Sequence, residues 1–250
     1  MDNRTQKIPD SVPRAIRRRS ENGHLPVINT GRPFGHIDPQ VRAIDFAAWI
    51  CSCGMEIILD GKYIYKNYPD PRICTLMRDT VRDCRMQVLY EAQDGKLLTD
   101  GANSAHEIAV IEINRLKEKG CMSQDIGSME VPSSIKFVTF DGPGCRRDEF
   151  IHRATPYFAC TERAYTMLEL VPKGFSKATG MDLLLQYLHL PREDTLVIGD
   201  STNDLPMFSA AAHTVCMGED MEELKQEAEY VTDTVLEDGI EKALQHYHLI

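Results

Sequence analysis

The run Thr195-Leu-Val-Ile198, followed at once by Gly199-Asp200-Ser201-Thr202-Asn203-Asp204, constrains the fold more than any other segment. Four residues without polar alternation, three of them β-branched, describe a strand buried on both faces. Strands of that kind belong to parallel sheets covered by helices. The polar turn and a helix over 205–212 complete a strand–loop–helix unit. The same rhythm opens the chain. A helix is expected from about Ile8, with Ser11 as its cap, Pro13 in its first turn and Gly23 as its stop. Leu25-Pro-Val-Ile-Asn29 then reads as a strand entering Thr30-Gly31-Arg32-Pro33. Ala48-Trp-Ile-Cys-Ser52 reads as another buried strand, and residues 55–59 and 63–65 as a hairpin turning at Asp60-Gly61. Later come a helix over 176–188, with Met181, Leu184, Leu185 and Leu188 on one face, and a strand over 213–217. A helix over 221–228, a short strand from Val231 and a terminal helix after Asp238-Gly239 end the chain. An α/β protein with a Rossmann-like parallel sheet is the expected class.

Between these halves the texture changes. Residues 86–90 and 96–99 flank Asp94-Gly95 as a second hairpin, followed by a helix over 105–119 and a strand over 134–140. A helix over 147–154 and strands over 157–160 and 165–171 follow. Hairpins mixed with helices suggest an α+β domain inserted into the first. The expected division is a discontinuous core over residues 1–67 and 167–250, with an inserted α+β domain over residues 68–166.

Composition limits the partners. The chain carries 38 acidic against 28 basic side chains, a formal charge of −10, which disfavours nucleic acid as a ligand. Its longest nearly unbroken apolar run, Phe46-Ala-Ala-Trp-Ile-Cys51, is far below the ~20 residues that span a bilayer. No apolar leader follows Met1, and the eight cysteines are scattered without zinc-type spacing, so free thiols in the cytoplasm and no membrane partner are expected. The oligomeric state stays open.

In a parallel α/β sheet the ligand site lies beyond the carboxyl ends of the strands. Thr30-Gly31-Arg32 and Gly199-Asp200 with Asn203-Asp204 stand at such ends, while Lys173 and Lys177 surround the start of the helix feeding the second strand. A hydroxyl, exposed amides, ammonium groups and two carboxylates suit a phosphate bound beside Mg2+, which takes hard oxygen ligands. The bland alternative makes Asp200 a helix cap and Asp204 a solvated first-turn acid.

Taken together these segments resemble the haloacid dehalogenase superfamily, in its Cof-like, type IIB capped phosphatase branch. Gly199-Asp200-Ser201-Thr202-Asn203-Asp204-Leu205-Pro206-Met207 resembles the family's fourth motif, and Thr30-Gly31-Arg32-Pro33 is similar to its second. Glu169-Leu-Val-Pro-Lys-Gly-Phe-Ser-Lys177 resembles its third. The resemblance implies a Mg2+-dependent phosphatase acting on a small phosphorylated metabolite through a phospho-aspartyl intermediate. Thr30 and Lys177 would be catalytic, Thr30, Gly31, Arg32 and Asn203 would bind substrate, and Asp200 and Asp204 would hold Mg2+. The insert would be the cap.

The family's first motif, an Asp-x-Asp-Gly-Thr run closing an apolar strand, has no counterpart here. Asp2 and Asp10 follow no such strand, and Asp141-Gly142 falls inside the expected insert. The parallel core is therefore expected to lack its first strand, leaving a slot with unpaired ladder groups on both sides. Either the nucleophile lies on sequence upstream of Met1, which the three intact motifs favour, or the chain is a non-catalytic phosphate- and metal-binding relative. The chain as written is expected to be inactive. Cys53 stands where the family usually carries Asn; it either faces substrate or is a small structural thiol. Arg32 either meets phosphate or pairs with an acid.

Overall fold

A computed structural model describes residues 7–92, 95–127, 134–163, 166–218 and 222–250. Met1, Asp2 and Asn3, Asp94 of the second hairpin, Tyr165 of an expected strand and Met221 of an expected helix lie outside them. The chain separates into two compact units. One gathers the chain up to Gly31 with Ile37–Tyr65 and Ser176–Ile250; the other gathers Arg32–His36 and Lys66–Phe175.

The first unit begins with α1 (Ser11–Glu21) and β1 (Val27–Asn29), then α2 (Pro39–Arg42), β2 (Ala48–Cys51), β3 (Glu56–Leu59) and β4 (Lys62–Lys66). Ser11 is not the cap of α1. Asp10 occupies that position, because the Val12 N–H already donates to the Pro9 carbonyl and the helix starts one residue early. The β3–β4 turn is Asp60-Gly61, both residues at positive φ as a tight hairpin requires.

The second unit holds α3 (Pro71–Asp83), β5 (Gln87–Ala92), β6 (Leu97–Thr99), α4 (Glu107–Glu118) and β7 (Ser123–Asp125). It continues with β8 (Ser134–Phe140), α5 (Arg147–Ala154), β9 (Phe158–Glu162) and β10 (Leu168–Pro172). The chain then returns to the first unit through α6 (Lys177–Leu188), β11 (Leu196–Gly199), α7 (Leu205–Phe208) and β12 (His213–Cys216). It ends with α8 (Glu222–Gln226), β13 (Tyr230–Val231) and α9 (Gly239–His246). α7 is half its expected length, since the Ala210 and Ala211 amides turn back three residues to Met207 and Phe208 and close the helix.

Among the described residues the parallel core of the first unit comes as two sheets. One has the order β1-β2-β3-β4, with β1 and β2 parallel; the other is the all-parallel β11-β12-β13. β1 and β11 are each the edge of their own sheet. What joins the sheets is α6: its Met181 and Leu184 pack with Ala48, Ile50 and Ile57 of the first sheet and Val197 and Cys216 of the second. A single apolar cluster thus spans an interrupted ladder. Among the described residues no helix is long and apolar enough to cross a membrane.

The second unit is one sheet of order β7-β6-β5-β8-β10-β9, covered on both faces. Met77 and Val81 of α3 and Phe150 of α5 pack over Val88, Tyr90, Phe137 and Leu170; Ala109 and Leu116 of α4 pack over Leu89, Leu97 and Phe140. Strand alternation sends Glu91, Lys136 and Glu169 to the second of these faces. Lys136, 4% exposed, reaches Glu169 at 2.9 Å and its cross-strand neighbour Glu91 at 3.5 Å. Burial alone would raise the Glu169 carboxyl, but Lys136 and Arg163 outweigh it and hold the group at about 2. Burial wins at Glu91 and pushes that carboxyl up to about 7.

An acid whose folded pKa is raised stabilises the fold below its unfolded value, near 4.5, and loses that contribution as pH rises through about 7. The amount is on the order of 3 kcal/mol. Glu91→Gln should therefore fall behind the parent protein in thermal stability as pH is lowered from 8 to about 4.5. Circular-dichroism melts across that range check it; a difference independent of pH would contradict it.

Candidate active site

Three chain segments of the first unit meet around the N-terminus of α6. Ser176 caps the helix, its hydroxyl accepting from Thr179 N–H while the Thr179 hydroxyl accepts from Ser176 N–H, and this fixes where Lys177 emerges. The Asn29 amide, at the end of β1, donates to the Lys177 carbonyl at 2.8 Å and so ties the strand preceding Thr30 to the helix. The turn Ser52–Gly54 runs at positive φ in all three residues. Its Cys53 N–H donates to the Thr30 carbonyl at 3.1 Å, while Thr30 N–H donates to Ile50. Gly54 and Gly180 touch backbone to backbone: a Cβ on Gly180 would lie 2.7 Å from Gly54 Cα and 2.5 Å from the Ile50 side chain. Cys53 is buried, and its placement serves the backbone that holds Thr30.

Beyond β11 the loop is built around Asp204. That residue is 2% exposed, and both carboxylate oxygens are engaged. Oδ1 accepts from Lys177 Nζ at 2.5 Å; Oδ2 accepts from the N–H groups of Asp200 and Ser201 at 3.0 and 3.1 Å. Gly199 makes room for it, since a Cβ there would come within 2.8 Å of Asp204 Cβ. Ser201 Oγ donates to Asn203 Oδ1. Asp200 is the exposed carboxylate of the loop. Its pKa is raised, first by desolvation of the carboxyl and next by the charge of Asp204, with Lys177 opposing.

Of the residues expected from sequence, the fold brings Lys177, Asp200, Asn203 and Asp204 into one network and anchors Thr30 beside it through Asn29. Gly31 ends the first unit, and Arg32 belongs to the second, where its charge acts on Glu91 and His36. Asp204 is not a solvated first-turn acid; it is the acceptor of a buried ion pair. The sequence placed Asn29, Gly199 and Ser201 at the strand ends without a role for any of them, because Asn29 acts through a partner 148 positions away, Gly199 through the space it leaves and Ser201 through the folded shape of the loop. No group of three His, Cys, Asp or Glu side chains with metal-binding geometry exists among the described residues. The donor set still fits Mg2+, which is commonly held by one or two carboxylates with water and substrate phosphate. Asp200 and Asp204 are the carboxylates of that loop, the first exposed and the second paired with Lys177.

The sequence profile of the haloacid dehalogenase-like hydrolases matches residues 2–244. The chain belongs to that family. Phosphatase YwpJ of Bacillus subtilis is 37% identical to it, over 93% of this chain and 90% of its own length. A second protein of that bacterium, the 5-amino-6-(5-phospho-D-ribitylamino)uracil phosphatase YcsE, is 24% identical over 99% of this chain and 91% of its own. The solved structure of the haloacid dehalogenase subclass IIB sugar phosphatase BT4131 shares the fold at a TM-score of 0.79. It is 23% identical, with 98% of this chain and 94% of that one superposed. The expected family and fold class therefore hold for this haloacid dehalogenase-like hydrolase, with its parallel core drawn as two sheets.

Proposed function

We propose that this protein is a Mg2+-dependent phosphomonoester hydrolase acting on a small phosphorylated metabolite, a sugar phosphate or similar compound, in the cytoplasm. The observation that carries the reading is the buried Lys177–Asp204 pair beneath the Asp200–Asn203 loop, set beside the Thr30 loop at the carboxyl ends of β1 and β11. The Thr30 hydroxyl and Gly31 N–H hold the phosphoryl oxygens. Lys177 offsets their charge, and Asp204 fixes its ammonium in place. Asn203, braced by Ser201, orients the bound group. Asp200 is the residue that would hold Mg2+, whose chemistry there is to neutralise phosphoryl charge. The phosphoryl group passes to an aspartate carboxylate and then to water, releasing alcohol and inorganic phosphate; that aspartate is not among the described residues. The second unit acts as the cap that chooses the leaving group and excludes water. YcsE supports this substrate class, since its named substrate carries phosphate on a hydroxylated chain.

A second reading, a phosphate- and metal-binding protein without turnover, is favoured by one observation: no Asp-x-Asp pair closes a strand among the described residues. A panel of small phosphomonoesters with Mg2+, run on a chain that carries an Asp-x-Asp strand ahead of α1, separates the two. Phosphate release that needs Mg2+ and falls at least a hundredfold in Asp200→Ala supports the hydrolase. Saturable, Mg2+-dependent phosphate binding without release supports the second reading. Neither binding nor release would overturn both.

A further inference from the structure

Within the second unit, Cys84, Cys145 and Cys160 all pack in the apolar cluster under α3 and α5, and the reaction above uses none of them. Cys84 closes α3 and is fully buried; Cys145 is half-buried in the turn between β8 and α5. Those two segments are fastened to each other at the cysteines. Arg146 N–H donates to the Cys84 carbonyl at 2.8 Å, and the Arg146 guanidinium donates to the Asp83 carbonyl at 2.8 Å. From α5, Arg153 reaches Asp83 Oδ2 at 3.2 Å and Cys84 Sγ at 3.9 Å. Gly142 lets the turn lie against the chain leaving α3, since a Cβ on it would meet the Arg85 carbonyl at 2.6 Å.

The bond to Cys84 fixes a distance. When the amide that follows Cys145 donates to the carbonyl of Cys84, standard bond lengths hold the two Cα atoms roughly 5–6 Å apart. Disulfides accept Cα separations of about 4.4–6.8 Å. Both side chains also turn to the same side, because both pack with Val81 and Phe150. Cys160 meets that cluster from β9, where the ladder pairs it with Leu170 instead of either of the others. Burial, and then the charge of Glu149, raises the Cys84 thiol above its ordinary pKa, with Arg153 and Arg146 opposing. Cys145 is the more accessible of the two, so a small oxidant meets it first and Cys84 reacts second.

We propose that Cys84 and Cys145 form a reversible disulfide, a site at which a hydroperoxide oxidises this unit and a dithiol restores it. The Cys145 thiolate attacks the peroxide O–O bond and becomes a sulfenic acid, while the departing oxygen takes a proton and leaves as water or alcohol. The Cys84 sulfur then displaces the sulfenic hydroxyl, which takes the Cys84 proton and leaves as water. Two electrons pass from the thiols to the peroxide, and one S–S bond replaces two S–H bonds. The new bond fastens the end of α3 to the turn before α5, where Arg146 and Arg153 already hold them.

The test is peptide mapping of the full chain, reduced, desalted, treated briefly with hydrogen peroxide and blocked with iodoacetamide. Trypsin frees residues 83–85 and 137–146, each with a single cysteine. In most chains these peptides should appear joined, lighter than their sum by two hydrogens, and dithiothreitol should return both to thiols. Cys84→Ala should leave Cys145 as a sulfenic acid that dimedone captures, roughly tenfold more than in the parent. In urea, where Arg146 no longer holds Cys84, the yield of the joined pair should fall roughly tenfold as other cysteines compete. The proposal is overturned if both peptides still carry iodoacetamide after peroxide, or if Cys145 joins Cys160 instead. It is overturned equally if the pair forms as readily in urea as in the folded chain. Mapping of the parent carries the test whether or not the variant folds.

Discussion

Lys177→Met is expected to lower the unfolding free energy by about 3 kcal/mol and to remove phosphate binding. The Lys177 side chain is 11% exposed and that of Asp204 2%, so the methionine strands a carboxylate that water cannot reach. Removing one member of a buried pair typically costs about 3–5 kcal/mol. Here the loss should sit at the low end, because the Asp200 and Ser201 amides still donate to Asp204. Asp204→Asn in the same chain removes the stranded charge and should restore most of the stability without restoring phosphate affinity. Urea denaturation of the parent, the two single variants and the double variant, analysed as a double-mutant cycle, separates the two effects. A single variant within about 0.5 kcal/mol of the parent would show that the pair is not buried in solution.

Gly180→Ala should also destabilise the protein, by about 2 kcal/mol, although alanine is the better helix former by about 1 kcal/mol. The added methyl would meet the Ile50 side chain at 2.5 Å and the Gly54 backbone at 2.7 Å. Gly54 cannot give way cheaply, since it holds φ +91° and a Cβ on it would itself meet the Ser176 carbonyl at 2.7 Å. Only a shift of α6 relieves the contact, and that shift carries Lys177 with it. Weaker phosphate binding should therefore accompany the loss of stability. A gain in stability, as helix propensity alone dictates, would mean that the Ser52–Gly54 turn is free to move.

Much of this was legible beforehand. Glycine-marked turns and short apolar runs located β1, β2, the β3–β4 hairpin, β8, α5 and β11 to within a residue or two, because each is decided by local sequence. α3 was passed over: its Asp70-Pro71 start is a sound helix signal, Asp70 accepting from Arg72 N–H at 2.8 Å, but Met77 and Val81 show their purpose only against Phe150 and Tyr90. Charge patterning likewise revealed that Arg32 follows a strand end, not that it would fall in the other unit beside Glu91.

The amino-acid sequence by itself determined the family, the order of the segments and the chemical types gathered at the strand ends, since motif spacing and apolar runs are properties of the chain. Tertiary structure alone decided which groups are engaged. It assigned both oxygens of Asp204 to Lys177 and the loop amides, left Asp200 exposed, split the parallel core into two sheets spanned by α6, and buried Glu91 with an open acceptor. The physical reason is that an ion pair, a close glycine contact or an unsatisfied atom depends on distance and desolvation between residues far apart in sequence. Lys177 and Asp204 stand 27 positions apart and Glu91 and Lys136 45, and only folding brings each pair within reach.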